Sequence, residues 1–331
     1  MQILFNFCLV WVVKIMMNES EYYADCMTVV VPVYNRAHLI RRCLDSIYAQ
    51  TYRPLCVIVV DNASTDSTAL AVEDWARDHM DGGFSLQLLS ELRQGAAYAR
   101  QTGLEHTATD KVMFFDSDDT MRPKAVESIM RAWAGDQEAE AVAWPLVIHR
   151  SDGDRQTHSI SGNLLERHMV HAIFCTLGYA VKTKTMLACG GWNGRLTCWD
   201  DLETGVRLLL RSPRVIALKS PMAEVYPQAE SISGVAFSDK AGRWEAALDA
   251  VDVAVSGCLR ADDARLHHIV SYRRAILAAD YAKEGHLELA RPLYRQALAE
   301  VPETKRPLIR FAYHWTRLGM RGAFSIIGCL L

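Results

Sequence analysis

The chain has 331 residues, half of them apolar and 23% charged, with 36 Lys and Arg against 39 Asp and Glu for a formal net charge of -3. This excludes a disordered tail, a collagen-like fibre and a small disulfide scaffold; a chain so near neutrality is also no general binder of nucleic acid. The nine cysteines are scattered, with no C-x-x-C pair, which points to a reducing, cytoplasmic setting.

The first run, Ile3 to Met17, is apolar but broken by Asn6 and Lys14. Fifteen residues fall short of the roughly 20 that a spanning helix needs. A weak membrane anchor, a buried extra element and an extension upstream of a start at Met16, Met17 or Met27 all remain open, the last being preferred. From Thr28 the pattern alternates. TVVVPV (Thr28 to Val33) reads as a buried strand, and Leu39, Ile40, Cys43, Leu44, Ile47 and Tyr48 then repeat at helical spacing, with Asn35 near the helix start. LCVIVV (Leu55 to Val60) is a second strand, followed by the polar loop DNASTD and a helix carrying Leu70, Val72 and Trp75. Gly82 and Gly83 precede a third strand, Phe84 to Leu89, then come a helix from Gly95 to His106 and a fourth strand, Val112 to Phe115.

Continuous apolar strands alternating with helices predict an α/β fold with a parallel sheet covered on both faces. In such sheets ligands sit beyond the carboxyl ends of the strands. The polar clusters fall there: Tyr34 to Arg36, Asp61 to Asp66, Arg93 to Gly95, and Asp116 to Asp119. Four clusters are thus expected to meet on one rim.

Farther on, Ala141 to His149 reads as one strand, SDGDRQ as a turn, Leu164 to Leu177 as a helix, and WDDLETGVRLLLR as another helix after Gly190 and Gly191. This stretch is expected to extend the sheet and wall the rim. Ala264 to Pro302 is helical, and Ala278, Tyr281, Gly285, Ala290, Tyr294, Ala297 and Pro302 carry the packing pattern of one tetratricopeptide-like hairpin. From Lys305 onward five basic residues and no acid are interleaved with Phe311, Tyr313, Trp315 and Phe324, and the chain closes on an apolar stretch, Ile326 to Leu331. Such a tail suits a membrane interface with anionic lipid, or else a terminal helix packed on the body.

Three carboxylates in four residues at Asp116-Ser117-Asp118-Asp119 need a positive neighbour, and Mg²⁺ or Mn²⁺ takes carboxylate together with phosphate oxygens. Asp119 is expected to cap a helix begun by Thr120 to Pro123, leaving Asp116 or Asp118 to the metal. Asp66 reads as a helix cap and Asp61 as a ligand contact. VPVYNR holds no glycine, which speaks against the Gly-rich phosphate loop of a nucleotidyltransferase.

VVVPVYNR, VIVVDNASTDST, FFDSDD and WDDLETGVRLL, in this order over residues 28 to 220, resemble the motif set of the family 2 glycosyltransferases. The resemblance implies a GT-A, Rossmann-like, mostly parallel sheet with a C-terminal helical extension. It also implies an inverting, metal-dependent transfer from a nucleoside-diphosphate sugar, UDP-sugars favoured, to a saccharide or lipid-linked saccharide hydroxyl in cell-envelope or capsule synthesis. Pro32, Tyr34, Asn35, Arg36 and Asp61 would surround the nucleotide, together with Arg93, Gly95, Arg100, Asp116 and Ser117. Asp116 and Asp118 would hold Mn²⁺ or Mg²⁺, and Asp201, beside Asp200, would be the catalytic base. Arg93 and Gln101 depart from the asparagines usual in the stretch RQGAAYARQTG. The organisation expected is an apolar extension over 1–27, a nucleotide-sugar half over 28–120, an acceptor half over 121–260, a helical hairpin over 261–304 and a basic amphipathic tail over 305–331. Peripheral membrane contact would come from that tail. The competing class is a non-catalytic nucleotide-binding scaffold that recruits a partner through the C-terminal helices.

Overall fold

The computed structural model describes residues 25–79, 83–149, 153, 155–157, 160–226, 236–258 and 263–320; the expectations for the apolar N-terminal run, for Gly82, for part of the SDGDRQ turn and for the last eleven residues lie outside these. Strand β1 (Met27–Val33) is buried at all seven positions, as a strand with helices on each face must be. Helix α1 (Ile40–Tyr48) turns Ile40, Cys43, Leu44 and Ile47 inward, the spacing that makes one apolar stripe. Then follow β2 (Leu55–Asp61), α2 (Thr68–His79), β3 (Phe84–Ser90), α3 (Ala96–Glu105) and β4 (Lys111–Phe114).

After β4 the chain forms β5 (Thr120–Met121), α4 (Ala125–Gly135), β6 (Ala141–Ala143), β7 (Leu146–His149) and β8 (Arg155–Thr157). Helix α5 (Leu164–His171), β9 (Tyr179–Lys182), α6 (Thr183–Ala188), α7 (Asp200–Leu210), β10 (Val215–Ala217) and β11 (Ala223–Val225) come next. Four helices end the described chain: α8 (Arg243–Ser256), α9 (Asp263–Lys283), α10 (Leu287–Ala299) and α11 (Arg306–Arg317). The main sheet has seven strands in the order β10-β6-β9-β4-β1-β2-β3, parallel except where β9 runs against β4 and β6. Helices surround it, and a smaller sheet runs β5-β11-β7-β8.

The strand order reverses between β1 and β4, which opens a crevice at their carboxyl ends. Register aligns those ends: Val33 lies opposite Asp61, and Asp61 opposite Ser90. Beyond β4 the Phe115 N–H still donates to the Val30 carbonyl, at 2.9 Å.

Three local expectations are corrected. Residues 141–149 form two strands in different sheets, broken at Trp144-Pro145, because proline has no N–H for a ladder; the Trp144 indole instead donates to the Leu177 carbonyl at 2.7 Å. The helix expected over 164–177 stops at His171, where Ala172 turns left-handed with φ 50°. Thr120 begins a short strand rather than a helix, so Asp119 caps none.

The chain divides into two compact units. One comprises the chain up to Ile160 with Thr176–Arg195 and Pro213–Pro227, and holds both sheets. The other comprises Ser161–Cys175, Leu196–Ser212 and the chain from Gln228 onward. Its core is helical, built from Leu202 and Val206 of α7, Leu248 and Val251 of α8, Ile269 and Ala278 of α9, Ala290 and Ala297 of α10, and Ile309 and Ala312 of α11. Tyr281 and Ala278 are fully buried, the Tyr281 hydroxyl donating to Glu245 of α8 at 2.8 Å, and Gly285 takes the positive φ (96°) that the turn requires. Among the described residues no helix is long and apolar enough to cross a membrane.

Candidate active site

The loops after β1 and β2 are laced together. Asn35, left-handed at φ 49°, donates its backbone N–H to Ser64 Oγ at 3.0 Å and accepts the Thr65 N–H on Oδ1 at 2.8 Å. The Arg36 N–H donates to Thr68 Oγ1 at 2.8 Å. Asp66 Oδ1 accepts the Thr68 N–H at 2.9 Å, so it does cap the start of α2. Pro32 lies in β1 opposite Val60, and the Tyr34 side chain is exposed. Asp61 is buried; its Oδ2 accepts from the Ser64 N–H at 3.3 Å, while Oδ1 has no hydrogen-bond partner among the described residues. A buried carboxylate oxygen left unmatched is costly unless a ligand donates to it.

Sequence reasoning missed Asn62, which joins three strand ends. Its N–H donates to the Val33 carbonyl at 2.8 Å, and its amide donates to the Glu91 and Arg93 carbonyls at 2.9 and 2.7 Å. Its Oδ1 accepts the Gly95 N–H at 2.7 Å. The signal was its place directly after Asp61, where its backbone reaches the end of β1 and its side chain the loop after β3.

Asp116, Ser117, Asp118 and Asp119 follow β4 at the switch point. Arg100, a buried cation on α3, donates to Asp116 Oδ1 at 2.8 Å and lies over the Trp192 ring, 4.8 Å from its centroid. Arg42, also missed, donates to the Asp118 carbonyl and lies over the Tyr226 ring. Burial pushes the Asp118 carboxyl up, and the charge of Asp116 adds to the effect. Asp119 is pushed up to about 8, by burial first and then by Asp116 and Asp118. Its Oδ1 accepts the Tyr226 N–H at 2.8 Å, tying β4 to the end of β11. Asp116 is paired with Arg100, and Asp118 and Asp119 are raised by burial and by the charge of Asp116, so one or two of these carboxylates are suited to join the shell of a hard divalent cation. Among the described residues no three His, Cys, Asp or Glu side chains are grouped to hold a metal by themselves. A cation that completes its shell with diphosphate oxygens and water needs only one or two carboxylates.

Arg93 does not stand free. It makes a paired contact with Glu91, at 3.0 and 2.7 Å, and lies over the Tyr98 ring. The hydrogen bonds from Arg93 in turn hold the Glu91 carboxyl down to about 2. Gly95, at φ 139°, precedes α3. Gln101 accepts the Trp192 N–H at 2.8 Å and so fastens the Gly191-Trp192 loop. Pro32, Asn35, Asp61, Arg93, Gly95, Asp116, Ser117 and Asp118 thus belong to the sheet unit, at or just beyond the carboxyl ends of β1 to β4, and Arg100 of the same unit reaches Asp116 from α3.

Asp200 and Asp201 belong to the helical unit, at the start of α7, where the helix dipole favours acids. Trp199 precedes them in a left-handed conformation, φ 49°. The Leu202 N–H donates to Asp201 Oδ1 at 2.8 Å, and Glu203 is engaged by Arg207 at 2.6 Å. Below lies His168, buried and held down to about 4 by desolvation; Nε2 donates to the Leu202 carbonyl and Nδ1 accepts the Phe174 N–H.

Residues 28–192 match the family described as Glycosyl transferase family 2. Among curated proteins the chain is 31% identical over 171 residues to glycosyltransferase GlyA of Streptococcus pneumoniae, covering 51% of this chain and 24% of that one. It is 30% identical over 105 residues to the GalNAc(5)-diNAcBac-PP-undecaprenol beta-1,3-glucosyltransferase of Campylobacter jejuni, covering 32% and 33%. The matched part thus spans about a quarter to a third of these relatives' length. Among solved structures, S. aureus TarS residues 1–349 in complex with UDP-GlcNAc has the same fold, with TM-score 0.66, 17% identity and 90% of each chain covered. The ordered motifs, the switch-point sheet and the match over residues 28–192 agree, and the chain belongs to glycosyltransferase family 2, with the GT-A fold.

Proposed function

We propose that the protein is an inverting, metal-dependent glycosyltransferase. It would move a sugar from a nucleoside-diphosphate sugar to a hydroxyl of a saccharide or lipid-linked saccharide, in assembly of a cell-envelope or capsular polysaccharide. The observation that carries this reading is the switch-point rim, where Asp116, Asp118 and Asp119 follow β4 and the unmatched Asp61 oxygen stands at the end of β2, on the other side of β1.

Asp61 accepts hydrogen bonds from the base or ribose edge, with Pro32, Tyr34, Asn35 and Arg36 beside it. Arg100 holds Asp116 in place, and Ser117, Gly95 and Arg93 line the path of the donor. A Mn²⁺ or Mg²⁺ ion held by Asp116 and Asp118 would neutralise the charge that builds on the departing diphosphate. Asp201 takes the proton from the acceptor hydroxyl as its oxygen bonds to the anomeric carbon and the bond from that carbon to the diphosphate breaks. A single displacement inverts the centre. Asp200 reinforces the negative potential at the helix start.

UDP-sugars come first because the similar fold of TarS is recorded with UDP-GlcNAc. A lipid-linked acceptor is supported by the name of the Campylobacter relative, which specifies an undecaprenol-linked acceptor. The C-terminal helix supports a peripheral membrane contact at the cytoplasmic face. Arg310, Phe311, His314, Arg317 and Leu318 face outward together, Phe311 44% and Leu318 77% exposed, with no acid on α11.

The test is a panel of UDP-, GDP- and dTDP-sugars with Mn²⁺, read as nucleoside diphosphate release with an acceptor present. One donor is expected to turn over, EDTA to abolish the release, and Asp201→Asn to lower kcat by about 10²-fold or more while donor binding persists. Full turnover in EDTA would remove the metal, and wild-type kcat in Asp201→Asn would remove the base. No turnover on any donor would favour the nucleotide-binding scaffold.

A further inference from the structure

Arg273 is a buried arginine in the middle of α9, outside the segment that matches the family. Its guanidinium does two things. Nη1 donates to the Met169 and Val170 carbonyls, at 3.0 and 3.2 Å, which closes the last turn of α5. The same group lies over the Trp199 ring, 4.6 Å from its centroid. Trp199 is the left-handed residue that launches α7, one position before Asp200 and two before Asp201.

A left-handed tryptophan is strained and persists only where its surroundings hold it. Trp199 is held by Arg273 over its ring and by Trp244 of α8, at 4.8 Å between centroids. The start of α7 is also clasped by His168, whose ring leaves no room for a side chain at Gly205, where a Cβ would come within 2.3 Å of Nε2. We propose that Arg273 is a positioning residue for Asp201: by holding Trp199 it sets the backbone from which the carboxylate projects, and it places a buried positive charge near that carboxylate. This rests on the reading of Asp201 as the base.

The charge balance around Asp201 supports it. Burial holds Arg273 down to about 10, and Asp201 is the first group that counters this, ahead of the Tyr272 phenol on α9. Among the described residues the other titratable groups near the start of α7 include the Cys198 thiol, pushed up by burial, His168 on α5, kept neutral by burial, Asp200 and the Glu203–Arg207 pair on α7 itself, and Lys240 and Arg243 ahead of and at the start of α8. A helix outside the matched segment would therefore hold the residue read as the base, both lying in the helical unit.

The experiment compares Arg273→Met and Arg273→Lys with wild type, in the full chain and with the donor found by the panel. Methionine keeps the apolar bulk over Trp199 and removes the charge; lysine keeps the charge but cannot serve two carbonyls and the ring together. For Arg273→Met, kcat is expected to fall about 30-fold with little change in donor KM. The acid limb of its kcat/KM profile should move up by about one pH unit, because losing a nearby cation favours the protonated carboxyl. Arg273→Lys should recover part of kcat and keep the limb where wild type has it. A folded Arg273→Met with wild-type kcat, or with reduced kcat and an unmoved limb, would overturn the proposal. Should Arg273→Met fail to melt cooperatively, wild-type kcat in Arg273→Lys would overturn it equally. Asp201→Asn distinguishes the two layers: full activity there removes the base itself, whereas a dead Asp201→Asn with an unmoved limb in Arg273→Met removes only the role of Arg273.

Discussion

His168 shows how burial sets a residue's chemistry. It is fully buried, with both ring nitrogens engaged by backbone groups, and is held down to about 4. The unfolded chain binds a proton at this position below about pH 6.5, while the folded chain resists until about 4. Stability is therefore present above 6.5 and is lost as the pH falls towards 4, by roughly 3 kcal/mol from this group. Between pH 6.5 and 4.5 the melting temperature carries this loss against the opposite contribution of the raised Asp119 carboxyl, and His168→Gln should remove the loss, so that the slopes of the two proteins differ over that window. An identical slope in both proteins would reject the assignment. Nothing in the letters marked His168 out, because its role depends on carbonyls and amides brought to it by α7 and by the turn after α5.

The packing of α3 on β1 depends on one missing side chain. A Cβ at Gly103 would come within 2.3 Å of Val30 Cγ1, and Val30 is fully buried between β2 and β4. Gly103→Ala gains about 1 kcal/mol in helix propensity but loses about 1 to 3 kcal/mol through overpacking. The expected result is a lower denaturation midpoint, with a higher donor KM because α3 carries Arg100 to Asp116; an unchanged midpoint would show that the helix has room to move. The strands themselves were readable because their apolar runs and helical stripes are local properties of the chain. The split of residues 141–149 was not. Both halves are apolar; Pro145 marks the break, but which sheet each half joins is decided by its partners, β9 and β10 for one and β11 and β8 for the other.

For the molecule as a whole, the outward face of α11 offers a basic and apolar surface, while Ile309, Ala312 and Tyr313 on its other side are buried in the helical core. Removing α11 would open that core, so point changes are the cleaner probe. Wild type is expected to pellet with phosphatidylglycerol vesicles more than with phosphatidylcholine vesicles, in a salt-sensitive way, and Arg310→Glu with Arg317→Glu to abolish the difference. Equal pelleting by both proteins would dismiss the contact. At this scale the sequence alone determined the alternation of strand and helix, the strand ends at which polar residues gather, and the order of the motifs. Each follows from periodicity and turn chemistry within a few residues. Tertiary structure alone decided the partner each charge receives: Arg100 for Asp116, the Tyr226 amide for Asp119, Glu91 for Arg93, and Arg273 beneath Trp199. The reason is physical. A buried carboxylate or cation is stabilised by whichever group the fold brings within about 3 Å, and for Asp119 that group lies 107 residues away along the chain.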